Sequence, residues 1–141
     1  MYFSEFAIGD YFATNSRTIF EDDVQKFAEL TGDFNPLHLD ESFARTTRFN
    51  NRVVHGMLTL SIASGLRHPI SGNRLICLYG IDHIRMTRPV HIGDTIRVEG
   101  TVSNLTPKDA SGVVTFSEEV LNQHNERVSI FERSALYKDA P

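Results

Sequence analysis

From Gly56 to about Leu66 the sequence reads Gly-Met-Leu-Thr-Leu-Ser-Ile-Ala-Ser-Gly-Leu, with apolar or small residues on every side of the helix it predicts. A helix that is apolar all round has no face to give to water and must be surrounded. Beyond His68-Pro69 the pattern changes. Thr95 to Ser103 alternates with period two, the mark of a half-buried strand. Val113 to Val120 and Val128 to Tyr137 are rich in β-branched and aromatic residues, and turn signals at Ile92-Gly93-Asp94, Thr106 to Gly112 and His124-Asn125 separate them. One buried helix followed by four antiparallel strands predicts an α+β domain, residues 1–141 as a single unit, with a central helix wrapped by a sheet.

Upstream, Gly9-Asp10 is a turn and Tyr11 to Ile19 reads as a first strand. Asp22, Val24, Phe27, Ala28 and Leu30 predict a short amphipathic helix, opened by a weak capping box of Asp22 with Gln25 and stopped at Gly32. Asn35-Pro36 forbids its continuation, because proline pushes the preceding residue toward extended geometry. A second helical piece should start at Asp40 and cover Glu41 to Thr46, which leaves Asp33 and His38 on a loop between the two.

That loop, Thr31-Gly32-Asp33-Phe34-Asn35-Pro36-Leu37-His38, gathers a carboxylate, an amide and an imidazole. Together Asp33, Asn35 and His38 can hold and orient a water molecule. Imidazole titrates near physiological pH, at roughly 6.5, while an aspartate at roughly 3.9 needs burial to become a useful base. The plainer reading of the same residues is an Asx turn beside a polar histidine. The second element is Val53-Val54-His55-Gly56-Met57, where Gly56 opens the apolar helix. The first N–H groups of a helix have no intrahelical partner, and glycine lets a carbonyl approach them closely, as an oxyanion hole requires. A small residue needed only for tight packing is the competing reading. Ser61 and Ser64, further along the helix, are candidates for the pocket or simply small core residues.

Composition excludes other classes. The formal charge of −4 and the absence of a Lys/Arg cluster argue against nucleic acid or an anionic membrane surface as partner. No stretch is long enough and apolar enough to span a bilayer, and no signal peptide is read, so a cytoplasmic location is expected. The single Cys77, in the apolar run Leu75 to Tyr79, reads as a buried packing residue. Asp33, His38 and His55 lack the close paired spacing of zinc motifs, so no metal is expected. Arg45, Arg48, Arg52, Arg85 and Arg88 either bind a phosphate-bearing carrier or form a solvated face.

At these residues the sequence resembles the MaoC-like, (R)-specific enoyl-CoA hydratase family of hot-dog-fold proteins. The resemblance rests on Asp33-x-Asn35-Pro36-Leu37-His38, Val54-His55-Gly56-Met57, Ser64-Gly65-Leu66 and Arg88-Pro89-Val90-x-x-Gly93-Asp94-Thr95, and runs from about Ile8 to Tyr137. It implies a hot-dog fold, a homodimer with sheets joined side by side, and a CoA or acyl-carrier thioester as substrate, with no cofactor. By position it implies Asp33 and His38 as the catalytic pair, Asn35 as their support, the Gly56 N–H as oxyanion donor, and His55 and Ser64 as substrate-side residues. The implied reaction is reversible addition of water to a trans-2-enoyl thioester; hot-dog thioester hydrolysis and a non-catalytic acyl-thioester-binding subunit are the alternatives. Asp82 and His83, in a segment expected to be an apolar strand, would favour a short or polar acyl group if either lines the tunnel.

Overall fold

The computed structural model describes residues 1–141. Its elements in chain order are strands β1 (Tyr11–Ala13) and β2 (Arg17–Thr18), helices α1 (Glu21–Thr31), α2 (Pro36–Leu39), α3 (Glu41–Ala44), α4 (Gly56–Leu66) and α5 (His68–Ser71), then strands β3 (Leu75–Met86), β4 (Thr95–Lys108), β5 (Ser111–Leu121) and β6 (Arg127–Lys138). The antiparallel sheet runs β1-β4-β5-β6-β3, with β2 also paired to β4. The curved sheet holds α4 in its concave face, which is the hot-dog architecture expected from the sequence.

Local chemistry accounts for the elements that place the site. Helix α1 starts two residues earlier than the Asp22/Gln25 reading predicts. It is the Asp23 carboxylate that accepts the Phe20 N–H at 2.8 Å and also grips Arg17 at 2.7 Å. Gly32 ends α1 in the left-handed conformation at φ 79°, where its N–H reaches the Ala28 carbonyl. Pro36 does block α1 but then opens α2, since its fixed φ suits the first helical position; His38 therefore sits on a short helix, not on a loop. Asp40 caps α3, which ends at Ala44 rather than Thr46. The expected strand Tyr11 to Ile19 breaks into two, because the Thr14 hydroxyl takes the Val98 N–H that a continuous ladder would have used.

Two apolar clusters fill the concave side. The larger joins Leu58, Leu60 and Ala63 of α4 with Val24 of α1 and with Ile96, Val98, Val120 and Phe131 of the sheet. The smaller gathers Phe3, Val102, Val114, Phe116, Ala135 and Tyr137 at the other end. Between them, Glu118 of β5 and Arg133 of β6 meet Arg67, which caps the C-terminus of α4. Fully burying one large aliphatic or aromatic side chain stabilises by about 1.5–3 kcal/mol, so these clusters dominate the folded state.

Two sequence expectations need correction. Met57, Ser61, Ser64 and Gly65 are exposed, so α4 is sheathed on most of its circumference but bare along one stripe of this chain. Cys77 is exposed as well, because β3 is the edge strand of the sheet and carries Ile76, Leu78 and Tyr79 beside it into solvent.

Candidate active site

The loop after α1 and the start of α4 come together as the sequence motifs suggest. Asp33 Oδ1 accepts the Asn35 N–H at 3.2 Å, and Asn35 Oδ1 in turn accepts the Leu37 N–H at 3.0 Å. The Asx turn is therefore real, and it sets the aspartate's direction. Asn35 serves as the N-cap of α2, which presents His38 one turn later.

Backbone carbonyls decide the state of both histidines. His38 Nδ1 lies 2.6 Å from the Val53 carbonyl, so it carries the proton and leaves the Nε2 lone pair free in the neutral ring. That Nε2 faces Asp33 Oδ2 across 3.8 Å, too far for a direct hydrogen bond and suited to an oxygen held by both groups. His55 Nε2 lies 3.0 Å from the Asp33 carbonyl and donates to it. The His55 ring is 2 % exposed and stacks on His38 at 3.9 Å between centroids. His55 thus braces both members of the pair from behind, instead of lining the cavity as the resemblance implied.

A cavity of about 280 Å³ opens beside them, lined by His38, Gly56, Thr59, Val54, Met86 and Arg48 among others. Gly56 is the first residue of α4, so its N–H has no intrahelical acceptor. A Cβ there would stand 2.9 Å from Met86 Cε, the movable end of a flexible side chain. Ser64 is elsewhere, two turns further along the bare stripe of α4 and outside this cavity. Asp82 and His83 are also outside it; they belong to an irregular stretch of β3 in which His83 takes φ 55° and pairs with Glu132 at 3.2 Å. Of the five arginines considered from sequence, Arg48 and Arg88 line the cavity, Arg52 is committed to Glu21 and the His38 carbonyl, Arg45 lies 3.9 Å from Glu41, and Arg85, outside the cavity, donates to the Ile84 carbonyl at 2.7 Å.

Thr59 is the residue that sequence reading passed over. Its hydroxyl is buried without a partner beside the cavity, whereas Ser61 on the same helix bonds back to the Met57 carbonyl at 2.8 Å. His55 Nδ1 is the other buried polar atom without a partner. Asp33, His38 and His55 bring their ligand atoms within 4.8 Å of one another, which by distance alone is a possible metal group. The stacking counts against a shared ion: in-plane lone pairs of rings 3.9 Å apart and inclined by only 28° are poorly placed to converge on one centre. The largest depression on the molecule, about 460 Å³, lies apart from these groups and is lined by Glu99, Glu119, Arg127 and Glu132 among others.

Fold and site together define a hot-dog protein with a carboxylate–imidazole pair at the N-terminus of its central helix. Residues 4–124 match the MaoC like domain, and the chain belongs to that family. It is 38 % identical over 99 residues to an (R)-specific enoyl-CoA hydratase of Rhodospirillum rubrum, covering 68 % of this chain and 66 % of that protein. It is 39 % identical over 107 residues to Protein MaoC of Klebsiella aerogenes, covering 76 % of this chain but 32 % of that one. The chain thus spans about a third of one of these relatives and just under two thirds of the other. Among solved structures, a protein described as a monoamine oxidase regulatory protein from Archaeoglobus superposes with TM-score 0.93 at 39 % identity, over 100 % of this chain and 96 % of that one. The unliganded R-hydratase PhaJ1 of Pseudomonas aeruginosa gives 0.83 at 33 % identity, over 99 % and 86 %.

Proposed function

We propose that this protein is a hydro-lyase that adds water reversibly to trans-2-enoyl thioesters, giving the (R)-3-hydroxyacyl thioester. The observation that carries the reading is the Asp33 carboxylate facing the free Nε2 of His38 across 3.8 Å, beside a cavity that both His38 and Gly56 line. Relatives named (R)-specific enoyl-CoA hydratase and 3-hydroxybutyryl-CoA dehydratase, at 38 % and 36 % identity, support the reaction class and its stereochemistry.

In this reading the attacking water sits between Asp33 and His38, which orient it and remove its proton as it adds to C3 of the thioester. The Gly56 N–H receives the charge that develops on the thioester oxygen, helped by the α4 dipole. A proton then reaches C2 from the same pair. Asp33 keeps half of its side-chain exposure, so the bound acyl group supplies the rest of its desolvation. His55 is assigned as the positioning residue behind the pair, and Ser64 is given no step.

The walls of Val54, Val90, Val128 and Met86 suit an apolar acyl group. CoA or an acyl carrier protein delivers it, with Arg48 and Arg88 at the cavity as phosphate partners. No metal or other cofactor takes part, so activity should survive dialysis against a strong chelator. A homodimer is proposed through β3, a twelve-residue edge strand that exposes Ile76, Leu78 and Tyr79 and needs pairing. A location in the cytoplasm is part of the same proposal; no helix is long and apolar enough to cross a membrane.

The deciding experiment incubates the protein with crotonyl-CoA and follows loss of the conjugated double bond and release of free thiol. Loss of the double bond with the thioester intact supports hydration. Free thiol identifies a thioesterase, and binding without turnover identifies a non-catalytic subunit.

A further inference from the structure

At the opposite end of α4 from Gly56, three charged side chains are shut into the concave face of the sheet. Arg67 and Arg133 are each 5 % exposed and Glu118 is at 0 %. Both carboxylate oxygens of Glu118 are taken, Oε2 by Arg67 Nη1 and Oε1 by Arg133 Nε at 2.7 Å. Two guanidiniums therefore share one carboxylate, leaving an excess positive charge in a site largely removed from water. Burying an ion is unfavourable unless its partners are complete. Burial pushes Arg67 down to about 10, with repulsion from Arg133 working in the same direction against the attraction of Glu118.

The remaining guanidinium N–H groups are not sealed in. Each arginine has five donors, and here each spends one on Glu118. None of their other nitrogens is among the buried atoms lacking a partner, so those nitrogens keep an open side. The open side is a second cavity of about 390 Å³, lined by both arginines and by Phe6, Phe12, Phe116 and Tyr137 among others. Arg133 lies over the Phe116 ring at 4.6 Å, which fixes the plane of its fork. At the mouth are the exposed carboxylates of Glu5 and Asp10, each already accepting a backbone N–H, from Tyr2 and Ala7. A cation in excess behind aromatic walls selects a ligand with an anionic head and an apolar body.

We infer that this cavity is a binding site for an aliphatic carboxylate, whose head group bridges Arg67 and Arg133 while its chain packs on the aromatic wall. The carboxylate completes the charge balance that Glu118 leaves unfinished. Two sources carry this chemistry, a free carboxylic acid and the far end of an acyl substrate that is itself a dicarboxylic acid. The second source rests on the proposed hydration; the first is independent of it. Thr59, Ala63 and Arg67 follow one another at four-residue spacing on one face of α4, which places the two cavities about 12 Å apart along the helix.

The test titrates the full chain with octanoate and, as the uncharged counterpart, octanol, in the parent and in Arg133→Met. That substitution leaves a balanced Arg67–Glu118 pair, so the fold should hold, as melting and crotonyl-CoA turnover would show. Octanoate should bind one-to-one and lose about 10- to 100-fold in affinity in Arg133→Met, with octanol unchanged. A second variant keeps both guanidiniums in place: at a temperature where it is folded, Glu118→Gln should bind octanoate more tightly than the parent, and octanoate should raise its melting temperature. A parallel arm compares trans-2-decenedioyl-CoA with trans-2-decenoyl-CoA. A lower KM for the diacid thioester, lost in Arg133→Met, assigns the site to the substrate's tail. Octanoate binding without that preference assigns it to a free acid. The inference is overturned if octanoate binds no better than octanol and neither octanoate affinity nor the diacid preference depends on Arg133. Failure to hydrate crotonyl-CoA would remove the hydratase reading alone, since the octanoate titration requires no turnover.

Discussion

The two ends of α4 carry the molecule's two polar sites, and they are assembled by opposite means. At the N-terminal end, Asp33, Asn35, His38, His55 and Gly56 lie close in sequence, and most of their contacts close over short spans: two residues from Asp33 to Asn35, 22 from Asp33 to His55. At the C-terminal end, Arg67 reaches Glu118 across 51 residues and meets it only because β4, β5 and β6 are in register beneath the helix. The first site leaves its carboxylate half exposed and 3.8 Å from His38 Nε2. The second is buried and held together by its own ion pairs. The half-exposed Asp33 carboxylate keeps contact with solvent, whereas Glu118, removed from water, must have its charge met by neighbouring side chains.

Substitutions should separate the two ends cleanly. The largest effect is expected at the pair: Asp33→Asn and His38→Ala should each lower crotonyl-CoA hydration on the order of 10²–10⁴-fold with little change in melting temperature. The double variant should be scarcely worse than either, because the two act as a unit. Near-parent turnover in either single variant would remove the catalytic assignment.

Glu118→Gln should show the reverse pattern. It strands two buried guanidiniums, and breaking a buried pair in this way costs about 3–5 kcal/mol. Denaturant melts should register the loss, while a variant that remains folded at low temperature should keep the turnover of the catalytic end. If stability is unchanged, the cluster is better hydrated than its burial implies.

Next in size is Gly56→Val, expected to lower turnover on the order of 10²–10³-fold, the typical result of losing one oxyanion donor. Met86 Cε can swing away from the added side chain, so the fold should survive and the kinetics can be read. Parent-like rates in folded Gly56→Val would show that the thioester oxygen lies elsewhere.

The smallest expected change is at His55, which lines neither cavity but supports His38 by stacking and Asp33 through its carbonyl. His55→Ala should lower kcat about 10-fold with KM nearly constant, through misplacement of groups that stay chemically intact. His55→Gln, whose amide can still donate to the Asp33 carbonyl, should recover part of the loss. A purely structural role would lower the melting temperature and leave kcat alone.

How legible each end was follows from the same contrast. Asx turns, helix caps and proline stops are interactions between near neighbours, so the turn at Asp33 and the helix start at Gly56 were legible, although Pro36 opens a short helix under His38 where a loop was expected. Apolar content announced that α4 is enclosed over most of its circumference, though not its bare stripe, and alternation announced β4. Even there the near-neighbour reading slipped where a distant group intervened: Thr14 splits the first strand by taking a hydrogen bond from Val98, 84 residues away.

The sequence by itself determined which chemistry the chain possesses, a carboxylate and an imidazole beside the first turn of an apolar helix, because spacing, capping and periodicity are properties of adjacent residues. Only the tertiary structure decided which nitrogen of His38 is free, since that depends on the Val53 carbonyl 15 residues away. It also decided that Cys77 lies on an exposed edge, that Ser64 faces outward and that the Thr59 hydroxyl meets a cavity. The meeting of Arg67, Glu118 and Arg133 belongs with these. Strand order, register and the path of a helix over a sheet set which distant groups meet, and no local pattern in a chain encodes them one residue at a time.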